Sequence, residues 1–128
     1  MYMHPPKKIL LADDDAAILD ATRMILELEG YEVLSTLDGG MVEQLLEEKP
    51  DLLLLDIWMG GHDGKEICRG LKAGDETKHL PIILISASRD VARSALDAGA
   101  DDFIAKPYQL CELLAKVDKH VSLAASIV

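Results

Sequence analysis

The sequence is poor in aromatic residues, at 4%, and in cationic ones, with 13 Lys and Arg against 23 Asp and Glu. The first shortage leaves an aliphatic core. The second gives a net charge of −10, which repels nucleic-acid phosphates and suits either a basic partner or bound cation, or solubility alone. Cysteine is nearly absent. Cys68 and Cys111 form neither a CxxC pair nor a disulfide framework, and read as reduced, half-buried apolar residues of helices. His4, His62, His79 and His120 lack metal-ligand spacing. No apolar run approaches the roughly 20 residues of a membrane span. The N-terminus has no signal-peptide stretch, so a cytoplasmic protein is expected. There is no repeat, low-complexity tract or linker. The 128 residues suggest one domain, large enough to fold without disulfide or metal staples.

What is present is an alternation of short apolar runs and helical patterns. Residues 52–55 are four consecutive leucines between Asp51 and Asp56. That is too short for a typical helix but suits a strand buried on both faces. Strands are expected at 7–12, 31–36, 52–56, 81–86 and 101–105. Helices are expected at 16–29, 41–49, 65–72, 89–98 and 109–121. In the first helix Ile18, Ala21, Ile25 and Leu28 mark the inward face. The second turns inward Val42, Leu45 and Leu46, the third Ile67, Cys68 and Leu71, and the last Leu110, Leu113, Leu114, Val117 and Val121. Gly30 and Gly99 follow helices as stop signals. Five strand–helix alternations with apolar central strands predict an α/β fold, a parallel sheet covered on both faces. The expected domain spans 7–121, with a leader at 1–6 and a tail at 122–128.

The carboxyl ends of those strands carry the chemistry. The first ends at Asp13 and Asp14, the third at Asp56, the fourth at Ser86 and the fifth just before Lys106. In a parallel sheet these ends share one edge, where open α/β folds place their ligands. Helix capping accounts for one or two of Asp13, Asp14 and Asp15 but hardly for all three. Clustered carboxylates repel unless protonated or bridged by a cation, and oxygen-only ligands suit magnesium. An aspartate can attack phosphorus to give an acyl phosphate. A lysine ammonium and a serine hydroxyl can then hold phosphate oxygens. The set is complete for phosphoryl transfer to Asp56.

This constellation resembles the receiver domain of two-component response regulators, of the chemotaxis-receiver type. The matching residues are Asp13-Asp14, Asp56 within Leu-Leu-Leu-Asp-Ile-Trp-Met, Asp63-Gly64, Ser86-Ala87 and Lys106-Pro107-Tyr108. They run in the family's order across nearly the whole chain. The resemblance implies a flavodoxin-like, doubly wound (βα)5 fold with strand order 2-1-3-4-5. It implies Asp56 as phosphoacceptor from a histidine kinase or a histidine phosphotransfer protein. It implies magnesium on the carboxylates of Asp14 and Asp56, on Asp13 largely through water, and on the Trp58 main-chain carbonyl. Ser86 is implied as the switch hydroxyl and Lys106 as the phosphate-pairing lysine. Phe103 is implied as the switch aromatic and Lys106-Pro107 as a cis peptide. The surface of the fourth helix, fifth strand and fifth helix would change on phosphorylation and bind a downstream effector, with a homodimer through helices four and five as one option. Such a domain is a signalling switch and not an enzyme, and contacts neither nucleic acid nor membrane directly.

The chain departs from the family at 57–63. Gly60 stands where a proline is common. Either the loop is looser, and Gly60→Pro would stabilise it, or the glycines supply a positive φ. Trp58 either packs on this loop or restricts hydrolytic water near Asp56. His62 reads as a solvated loop histidine. Three other functions fit less well. An aspartate-nucleophile phosphohydrolase wants an acid two residues after the nucleophile, where Trp58 stands. A flavodoxin-type phosphate loop would not carry Asp13-Asp14-Asp15. A pseudo-receiver would not keep the full set.

Overall fold

The computed structural model describes residues 6–87 and 96–126. Its strands are β1 (Lys8–Ala12), β2 (Glu32–Thr36), β3 (Leu52–Asp56), the short pair β4 (Trp58–Met59) and β5 (His62–Asp63), β6 (Ile82–Ser86) and β7 (Asp102–Ala105). The helices are α1 (Ala16–Leu28), α2 (Val42–Leu45, with a 3-10 turn at each end), α3 (Gly64–Ala73) and a C-terminal helix (Leu110–Ser126). Of the expected helix at 89–98, residues 89–95 lie outside the described residues, while Leu96 and Asp97 are helical; most of the fourth-helix surface therefore lies outside them too.

β2, β1, β3, β6 and β7 form one sheet in that order, and each neighbouring pair is parallel. Setting the β4–β5 hairpin aside, this is the expected order 2-1-3-4-5, the flavodoxin-like arrangement. Every residue of β3 and β6 is buried, so their unbroken apolar runs reflect cover on both faces. Side chains alternate along each strand. Ile9, Leu11, Leu52, Leu54, Ile83 and Ile85 pack with α1 and the C-terminal helix. Leu10, Leu53, Leu55, Ile82 and Leu84 pack with Val42, Cys68 and Leu71 on the opposite face.

Several details differ from the sequence reading. α1 buries Leu19, Thr22 and Leu26, while Ala21 and Leu28 are exposed. The face is rotated because Thr22 faces inward, its hydroxyl 2.7 Å from that of Tyr108. A threonine does not register in an apolar count. Leu110 is exposed where an inward residue was expected. Cys68 is fully buried and Cys111 exposed, so neither is half-buried. The 57–63 stretch is a hairpin and not an irregular loop: Trp58 pairs with Asp63 and Met59 with His62. Gly60 and Gly61 form its two-residue turn with φ of 50° and 95°, the positive pair that a type I′ turn demands. The glycines therefore serve conformation, and a proline would not fit at residue 60.

Candidate functional site

β1 and β3 are hydrogen-bonded neighbours, with Ala12 opposite Leu55. The chain leaves both strands at the same edge and places Asp13 beside Asp56. The three consecutive aspartates have separate tasks. Asp15 caps α1, its carboxylate accepting from the N–H groups of Ala17 and Ile18 at 3.1 and 3.2 Å. Asp13 turns inward, is fully buried, and accepts from the Asp15 N–H at 2.9 Å. Asp14 is exposed. One carboxylate oxygen from each of Asp13, Asp14 and Asp56 lies within 4.8 Å of the others.

Lys106 reaches into this cluster from the residue after β7. Its Nζ donates to Asp56 Oδ2 at 2.8 Å and to Asp13 Oδ1 at 3.1 Å. It also lies 3.0 Å from Asp13 Oδ2. That last contact is electrostatic only, because Asp13 Oδ2 is buried and accepts no hydrogen bond among the described residues. The Lys106 N–H donates to the Ser86 carbonyl at 2.7 Å, which anchors the stem of the lysine. The Lys106–Pro107 peptide is cis, as the family resemblance implies. Beyond it the Tyr108–Thr22 contact fastens this loop to α1.

Asp56 is 6% exposed. Burial pushes its carboxyl above the ordinary value and Asp13 adds to the rise. The Lys106 ammonium and the Trp58 N–H, which donates to Oδ1 at 3.2 Å, only partly oppose it. For Lys106 burial acts downward, but Asp56 and Asp13 win and hold the ammonium above its ordinary value. The Lys106 cation thus faces a cluster of three carboxylates. A buried carboxylate oxygen without a hydrogen bond, in an all-oxygen set, fits a hard divalent cation.

Ser86 is buried as the last residue of β6, opposite Ala105 across β6–β7. Asp13, Asp14, Asp56, Ser86 and Lys106 thus share the carboxyl edge. Phe103 lies farther back on β7, partly buried against the α3-side core. The Lys116 ammonium stands 5.7 Å from its ring centroid. A cavity of about 520 Å3 beside it is lined by Phe103, Lys106, Glu112 and Lys116. A larger hollow, about 1090 Å3, lies at the opposite edge between α2 and α3, away from the carboxylate cluster. The Trp58 side chain is 61% exposed.

Two contributors escaped the sequence reading. The Trp58 main-chain N–H, a donor to Asp56, is invisible in a survey of side chains. Gly64 is legible as part of Asp63-Gly64, but its reason is not. A Cβ there would lie 2.4 Å from the Asp56 carbonyl oxygen, so α3 begins pressed against the backbone of Asp56.

Residues 9–118 match the response regulator receiver domain family. "Response regulator MprA" of Mycobacterium leprae is 41% identical over 114 residues, covering 86% of this chain and 49% of that protein. The protein of the same name from Mycolicibacterium vanbaalenii is 40% identical over 116 residues, 88% and 49% of the two chains. The chain thus spans about half the length of the curated relatives it matches. Among solved structures, a receiver domain protein (CheY-like) from Methanospirillum hungatei superposes with a TM-score of 0.85 at 33% identity, covering 96% of this chain and 99% of that one. The receiver domain of a signal transduction histidine kinase from Syntrophus aciditrophicus gives 0.83 at 34%, covering 91% and 90%. By fold, strand-end cluster and sequence, this chain belongs to the response regulator receiver domains, the signalling domains of two-component systems.

Proposed function

We propose that residues 7–121 form a phosphorylatable switch in which Asp56 takes a phosphoryl group from the phosphohistidine of a histidine kinase or histidine phosphotransfer protein. The observation that carries this reading is the Lys106 ammonium, 2.8 Å from Asp56 and 3.0 Å from Asp13 at the end of the central strands. An Asp56 carboxylate oxygen attacks phosphorus, the P–N bond breaks, and its electron pair leaves with the imidazole, giving an aspartyl phosphate. The Trp58 N–H holds the other carboxylate oxygen and orients the attacking one. Lys106 neutralises phosphate oxygens. Asp13, Asp14, Asp56 and the Trp58 carbonyl would hold magnesium, which neutralises charge on the transferring group when bound.

The Ser86 hydroxyl donates to the new phosphate. Its movement makes room for Phe103, whose inward rotamer remodels the adjoining surface toward a downstream effector. By linkage, an effector that prefers this form stabilises the aspartyl phosphate. The net charge of −10 argues against nucleic-acid contact by this domain. Among the described residues no helix is long and apolar enough to cross a membrane.

The test is incubation with magnesium and a small acyl phosphate donor, followed by intact-mass measurement. Wild type should gain one acid-stable, base-labile phosphoryl group and Asp56→Ala none. An adduct that survives in Asp56→Ala would refute the assignment.

A further inference from the structure

His62 stands on the hairpin that flanks Asp56, and its side chain is solvent-exposed as expected, yet one side of it meets a second turn. Its ring lies on the Asp38-Gly39-Gly40 turn that follows β2. A Cβ on Gly39 would stand 2.8 Å from His62 Cβ, and one on Gly40 would stand 3.5 Å from Cε1 and Nε2 of the imidazole. The glycines are therefore a seat shaped for this side chain. The ion pair with Asp38 is secondary. Nε2 is 3.8 Å from Asp38 Oδ1 and both side chains are about half exposed, so the charge contributes little.

The seat is itself fixed. The Asp38 carboxylate accepts from the Gly40 N–H at 2.8 Å, and Thr36 Oγ1 accepts from the Asp38 N–H at 3.0 Å. The hairpin it receives needs such support, because each of its strands has only two residues and an isolated hairpin is marginal in water. The Ile57 N–H donates to the Ile85 carbonyl at 2.8 Å at one end and Asp63 accepts from the Lys65 N–H at 2.8 Å at the other, and further contacts hold the hairpin itself. Met59 is buried at 2% exposure, the Gly64 N–H donates to the Ile57 carbonyl at 2.6 Å, and His62 rests on the glycines. The same hairpin carries the Trp58 N–H that meets Asp56 Oδ1.

We infer that His62 is a positioning residue of the phosphorylation site: packed on Gly39-Gly40, it fixes the hairpin whose Trp58 backbone orients the Asp56 carboxylate. The inference rests on the phosphoacceptor reading of Asp56 and deepens it. The latch works by shape, so an uncharged planar ring should replace imidazole.

The experiment uses the full chain as wild type, His62→Ala, His62→Phe and Gly39→Ala. Magnesium affinity is read from the rise in thermal midpoint with magnesium concentration. Phosphorylation by a small acyl phosphate is followed by intact mass. His62→Ala should lose about tenfold in both, the lower end for residues that orient ligating groups. Gly39→Ala, which unseats the ring, should do the same, while His62→Phe should stay close to wild type. His62→Ala behaving as wild type overturns the latch, and so does His62→Phe failing as badly as His62→Ala. A loss matched by an equal loss of folded protein also overturns it. Wild type that gains no Asp56-dependent phosphoryl group removes the underlying reading, whereas normal phosphorylation of both wild type and His62→Ala removes only the latch.

Discussion

Two glycines of α3 should respond to alanine in opposite directions. Gly64 opens the helix, where an added Cβ would stand 2.4 Å from the Asp56 carbonyl oxygen and 2.8 Å from Ile57 Cα. Carbon contacts are optimal near roughly 3.5–4.0 Å, so the backbone must open by about 1 Å. Neither neighbour is a side-chain tip that can swing away. The movement also strains the Gly64 N–H bond to the Ile57 carbonyl, now 2.6 Å. Overpacking of this kind costs about 1–3 kcal/mol, and a weakened backbone hydrogen bond adds about 1 kcal/mol. At about 3–5 °C per kcal/mol for a domain of this size, Gly64→Ala should lower Tm by roughly 6–20 °C. Gly70 lies inside the same helix, and a Cβ added there would meet nothing within 4 Å. Alanine at that position recovers helix propensity, about 0.5–1 kcal/mol, and Tm should rise by about 2–5 °C. Thermal unfolding of both variants by circular dichroism is the assay. If Gly64→Ala melts within about 2 °C of wild type, or Gly70→Ala falls with it, the close approach of α3 to Asp56 is not what the site depends on.

Gly60→Pro should lower Tm, because a φ of 50° is closed to proline, whereas Gly60→Asn should be tolerated in the same turn. Without metal, Asp56→Asn should raise Tm at neutral pH, since burial and the Asp13 charge already hold the Asp56 carboxyl above its ordinary value of 3.8. The folded chain then binds that proton more tightly than the unfolded one, so this group's contribution to stability falls as pH rises through the window just above 3.8. A Tm of Asp56→Asn below wild type would contradict this. Asp102 has the opposite sign: burial acts upward, but His120 and Lys116, each 2.9 Å away, hold its carboxyl below the ordinary value. Its stabilisation is complete above 3.8 and is lost as pH falls through the lower folded value. Asp102→Ala should cost about 1–2 kcal/mol at neutral pH and less under acid, measured by urea unfolding at both.

The fold and the cluster were legible for one reason: each informative residue sits at a strand's carboxyl end. Four leucines before Asp56, and two isoleucines, a leucine and an isoleucine before Ser86, can be read as doubly buried strands without coordinates. Once the strands are parallel, their polar ends must meet. What stayed hidden depends on side chains or backbone that act against type. Thr22 is buried because a hydroxyl on another element answers it. Asp101 accepts from the Ile82 N–H at 2.8 Å and Asp51 from the Lys8 N–H at 2.7 Å. These acids tie the opposite edge of the sheet and have no part in the cluster. Residue type alone does not separate them from Asp13 and Asp56; the end of the strand at which they stand does.

That separation also shows in the charge balance of the two edges. Asp51 and Asp101 at the amino edge each meet a backbone N–H, and Asp101 also meets Lys72 at 2.7 Å. At the carboxyl edge Lys106 is shared between Asp13 and Asp56, and Asp13 Oδ2 accepts no hydrogen bond among the described residues. One ammonium thus serves two buried carboxylates, an imbalance of charge that a hard cation would relieve. Removing the negative charge at Asp56 should therefore stabilise the resting chain and abolish its response to magnesium and phosphodonor together.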